Sequence, residues 1–114
     1  MKAFIIDRYG SDTLHPAEMP RPQVGATDVL VQVHAASVNP VDFKIRDGKS
    51  RFGIPYRLPL IIGNDLSGVV VEVGAAVRGF NPGDEVYARA DKDRIGSFAE
   101  FIAVRAESVA LRPA

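Results

Sequence analysis

The chain has 114 residues, no cysteine, and 14 basic against 14 acidic residues, so its formal net charge is zero. That length leaves room for one domain with one core, burying roughly 60–70% of the unfolded surface on folding. Lack of cysteine excludes disulfides and thiolate metal sites, and balanced charge excludes the electrostatic footprint of a nucleic-acid or anionic-membrane binder.

The first run, Lys2–Asp7, reads as a strand and reaches the charge of Asp7 too soon for a signal peptide. No apolar stretch approaches the ~20 residues of a membrane span, so a soluble cytoplasmic domain is the expectation. Pro16, Pro20 and Pro22 break the next region into irregular or edge structure. Val29–Ala35 is the clearest strand. Val29, Val31, Val33 and Ala35 fall on one face and Gln32 and His34 on the other, a period of two. A single helical turn interrupts the pattern: Asn39 can cap it, Pro40 suits its first position, and Gly48 can end it. Val41 and Ile45 then share an apolar side, while Asp42 and Arg46 pair four residues apart. A long loop from Lys49 to Leu60 carries Gly53, Pro55 and Pro59, and loops of this kind are often functional.

Beyond it the predicted strands are Leu66–Val73, Glu85–Ala90, Phe98–Val104 and Val109–Leu111. Asn81-Pro82-Gly83-Asp84 is a turn, since proline fixes one φ and glycine accepts positive φ. Ten glycines and eight prolines, spread between short Val/Ile/Phe-rich runs, predict a mainly β barrel or sandwich. There is no internal repeat, linker or low-complexity tract.

Three stretches carry a resemblance: Ser37-Val38-Asn39-Pro40-Val41-Asp42-Phe43-Lys44, the segment from Ile62 to Gly74 with its Gly63-Asn64-Asp65 start, and Gly96-Ser97-Phe98-Ala99-Glu100-Phe101. Together they resemble the N-terminal domain of the medium-chain dehydrogenases/reductases, the alcohol dehydrogenase and quinone oxidoreductase superfamily. The resemblance covers essentially residues 1–114. It implies a GroES-like, partly opened β-barrel with one or two short helices on the substrate side of a cleft. A Rossmann cofactor domain would follow residue 114, and no Gly-x-Gly-x-x-Gly fingerprint occurs in these residues.

Zinc-dependent members place Cys where this chain has Asn39 and a His-Glu pair where it has Asn64-Asp65. Catalytic zinc needs three ligands from Cys, His, Asp and Glu, and of these positions only Asp65 offers a good one. The two histidines, His15 and His34, are remote from the motifs in sequence. The chain therefore looks like the zinc-free branch, the NADPH-dependent quinone and enone reductases, with no metal site. Its substrate would be a small quinone or α,β-unsaturated carbonyl, and a homodimer stays open for the parent enzyme. Alone, one wall of the cleft is expected to be inactive.

In that branch a lysine lies near nicotinamide and substrate at the position of Lys44, where an ammonium can stabilise an enolate; otherwise Lys44 is a solvated helix lysine. Asn39 either caps the helix or bonds the nicotinamide ribose, the substrate or water, and its two polar ends permit both. Asp42 orients Lys44 or pairs with Arg46. Asp65 bonds backbone amides around Gly63 or contacts the cofactor. Phe52 and Tyr56 line a pocket for a flat substrate or anchor the loop. Five basic residues between Lys44 and Arg57 draw in an anionic cofactor or simply keep the loop solvated. Gly63, Gly68 and Gly74 answer to geometry: close backbone approach or positive φ. The rival reading is a stand-alone binding or assembly module of GroES type without catalysis.

Overall fold

A computed structural model of the chain describes residues 1–6, 14–37, 60–61, 63–90 and 95–111. The helical turn expected at 39–48 and the loop from 49 to 59 lie outside the described residues.

Among the described residues eight strands run β1 (Lys2–Ile6), β2 (His15–Glu18), β3 (Asp28–Ser37), β4 (Leu60–Ile61), β5 (Asp65–Val73), β6 (Glu85–Arg89), β7 (Phe101–Arg105) and β8 (Val109–Leu111). A short 3₁₀ turn, Ala106–Ser108, joins the last two. They form two antiparallel sheets, a small one in the order β2-β1-β4 and a larger one in the order β7-β3-β5-β6-β8. The larger sheet curls into a half-barrel, so the chain is mainly β and has the partly opened barrel expected.

The core follows from strand periodicity. On β6, Val86 and Ala88 are buried while Glu85, Tyr87 and Arg89 face outward. On β5, Leu66, Gly68 and Val70 point inward in the same way. These join Val29, Val31, Val77, Ala90, Ile102, Val104 and Val109 in one apolar cluster. Fully burying a valine or leucine contributes about 1.5–3 kcal/mol, so this inner face dominates the favourable side of folding. The Asn81–Asp84 turn forms as expected: the Asn81 amide donates to Asp84 Oδ2 at 2.8 Å, the Asp84 amide returns to the Asn81 carbonyl at 3.1 Å, and Gly83 has φ +96°.

Three particulars refine the sequence reading. First, of the irregular or edge structure expected around Pro16, β2 is an edge strand. It lies at the edge of its sheet, where a proline costs least because its missing N–H need not serve the ladder. Second, the two-residue alternation of β3 fails at its far end. Val33 pairs with Gly68 and Ala35 with Ser67, so His34 is an extra residue in a bulge. The bulge reverses the phase, and Ala35 is exposed rather than on the face of Val29 and Val31. Third, β7 starts at Phe101, and the residues before it do something else.

Those residues, 98–100, join the two sheets. The Phe4 amide donates to the Phe98 carbonyl at 2.8 Å and the Glu100 amide to the Lys2 carbonyl at 3.1 Å, with Ala3 and Ala99 bridged between them. On the opposite side the Val33 amide donates to the Glu100 carbonyl at 2.8 Å. One short segment thus pairs with β1 of the small sheet and β3 of the large one.

Gly68 makes the β3–β5 contact possible. A Cβ there would overlap the Gln32 carbonyl oxygen and approach Val31 Cγ1 to 2.9 Å, and a backbone carbonyl in a central ladder cannot move aside. Gly68→Ala should therefore destabilise the fold by about 2–3 kcal/mol, as overpacking does. Denaturant unfolding measures this, and an unchanged midpoint would show that the two strands can separate freely.

Candidate functional site

The site is built where three strands end. Cross-strand pairing places Ser37 of β3 opposite Asp65 of β5, and Asp65 opposite Arg89 of β6. Ser37 is the first residue of the 37–44 motif and the one residue of it among those described, and it lies directly across the ladder from Asp65.

The approach to Asp65 is tightly held. The Gly63 carbonyl accepts from the Gly96 amide at 2.9 Å and from the Ser97 amide at 3.2 Å. The next carbonyl, of Asn64, accepts from the Ala90 amide at 2.6 Å. Gly63 has φ +114°, and a Cβ on it would strike Ser97 Oγ and come within 2.8 Å of Phe98 Cδ1. Only glycine satisfies both the backbone conformation and that approach. The second and third motifs are therefore one structural unit, with Gly63 seated against Gly96-Ser97-Phe98. Asn64, the residue after it, is 5% exposed.

Asp65 faces a cation. Its Oδ1 lies 3.8 Å from Arg89 Nε, with the aspartate side chain 32% and the arginine side chain 72% exposed. A pair this open contributes roughly 0–1 kcal/mol to stability; its interest is positional. The sequence reading gave Asp65 the backbone amides around Gly63 or the cofactor as partners, and missed Arg89. The other site residues read from the sequence, Asn39, Asp42, Lys44, Phe52 and Tyr56, lie outside the described residues. Among the described residues no three of His, Cys, Asp and Glu converge as a metal site.

Beside this unit lies a groove of about 680 Å³ between β1, β2, the end of β3 and residues 97–100. Phe4, Leu14, Pro16, Ala17 and Phe98 make it apolar, with Lys2, His34, Ser97 and Glu100 as its polar members. His34, the bulge residue, is exposed, in line with a solvated histidine.

Ser97 is 1% exposed, and its Oγ has no hydrogen-bond partner among the described residues. A buried hydroxyl without a partner costs about 1–3 kcal/mol. Ser97→Ala keeps the Cβ and removes the orphan oxygen. It should raise unfolding stability by about 1 kcal/mol. A loss of that size in thermal or denaturant unfolding would mean that the hydroxyl is satisfied in solution.

Residues 25–114 match the alcohol dehydrogenase GroES-like domain family, and the chain belongs to it. Its relatives are oxidoreductases of the medium-chain dehydrogenase/reductase superfamily. It is 40% identical over 121 residues to the chloroplastic NADPH-dependent alkenal/one oxidoreductase of Arabidopsis thaliana, covering 99% of this chain and 31% of that protein. It is 35% identical over 128 residues to the mitochondrial NAD(P)H oxidoreductase RTN4IP1 of Bos taurus, covering 99% and 32%. Among solved structures, the quinone oxidoreductase of Coxiella burnetii superposes with a TM-score of 0.87 at 30% identity, covering 99% of this chain and 37% of that one. The chain spans about a third of the length of the curated relatives it matches.

Proposed function

We propose that this member of the alcohol dehydrogenase GroES-like family is the substrate-side domain of a zinc-independent, NADPH-dependent quinone or enone oxidoreductase. The observation that carries the reading is the donor set at the barrel end. The strand leading to Asn39 ends beside Asn64-Asp65, and two of these three positions are amides. A neutral carboxamide is a poor zinc ligand beside thiolate, imidazole or carboxylate. The 40% identity to an NADPH-dependent alkenal/one oxidoreductase supports a conjugated carbonyl as substrate.

Bound mainly by a Rossmann domain that would follow residue 114, NADPH supplies the hydride. This chain's residues would manage the charge that hydride delivery creates. When hydride adds to the carbon β to the carbonyl, the π electrons move onto the carbonyl oxygen as an enolate. Without a Lewis acid, a positioned cation or N–H donor must stabilise that oxygen, and Lys44 is the residue we assign. Its ammonium acts in the transition state, where the charge develops, more than in the ground state. Asn39 can cap the helical turn with its oxygen while its NH₂ donates to the ribose, the substrate or a water. Asp42 orients Lys44. Phe52 and Tyr56 exclude water from one side of a flat substrate, and Asp65 closes the polar rim beside the cofactor. A protein containing only this wall lacks the near-attack geometry and should not oxidise NADPH.

The test is Lys44→Ala in the full-length enzyme, assayed with an enone and a quinone. Loss of a donor that acts on the developing oxyanion should lower kcat and kcat/KM together, by roughly 10²-fold. A rise confined to the KM for NADPH would move Lys44 to cofactor binding. Unchanged kinetics in a folded variant would make it a solvated helix lysine.

A further inference from the structure

We draw no further inference here: the strongest candidate, the apolar groove between β1, β2, the end of β3 and residues 97–100, carries none, because nothing in the structure shows what covers it.

Discussion

Two sheets share one seam, and the remainder of the molecule depends on it. Residues 98–100 pair with β1 on one side and β3 on the other through amide–carbonyl bonds from Phe4, Glu100 and Val33. Each such bond contributes only about 1 kcal/mol net, yet together they fix where Gly96 and Ser97 stand. Those two amides then converge on the Gly63 carbonyl. From Gly63 the chain has one way to go, past the buried Asn64 to Asp65 at the head of β5. The position of the candidate site is thus set by a backbone lock.

This division suits a cleft wall. A site built on strand ends keeps its geometry while its side chains stay solvated and available to a ligand. Asp65 and Arg89 illustrate it: their ion pair adds little to stability, but both are borne by strands whose inner residues, Leu66 and Val70 on β5 and Val86 and Ala88 on β6, belong to the apolar core. The Ser97 hydroxyl, buried and without a partner among the described residues, is a cost carried within the lock.

Much of this was legible in the sequence. The strands read at Val29–Ala35, Leu66–Val73, Glu85–Ala90 and Val109–Leu111 and the Asn81–Asp84 turn all fall in the large sheet, and the three motifs give the family. Gly63 and Gly68 were rightly read as positions of geometry, although the surfaces they approach, Ser97-Phe98 and Gln32, are not visible from local spacing. Pro16 left irregular and edge structure both open, because only the ladder with β1 shows that its strand is an edge. The bulge at His34 leaves no mark in composition, so the phase of Ala35 came out reversed. Leu60–Ile61 is too short to signal a strand. Arg89 was missed because the connection between β5 and β6 is long and irregular, which hides the register that sets it opposite Asp65.

We propose that the barrel end beside Asn64 and Asp65 serves hydride transfer without zinc. The most direct test measures NADPH-dependent enone reduction by the full-length enzyme together with its zinc content. The protein should first be stripped with a strong chelator and freed of any affinity tag. The account predicts undiminished turnover at far less than one zinc per chain. Activity that vanishes on stripping and returns in proportion to added zinc, up to one per chain, would contradict it.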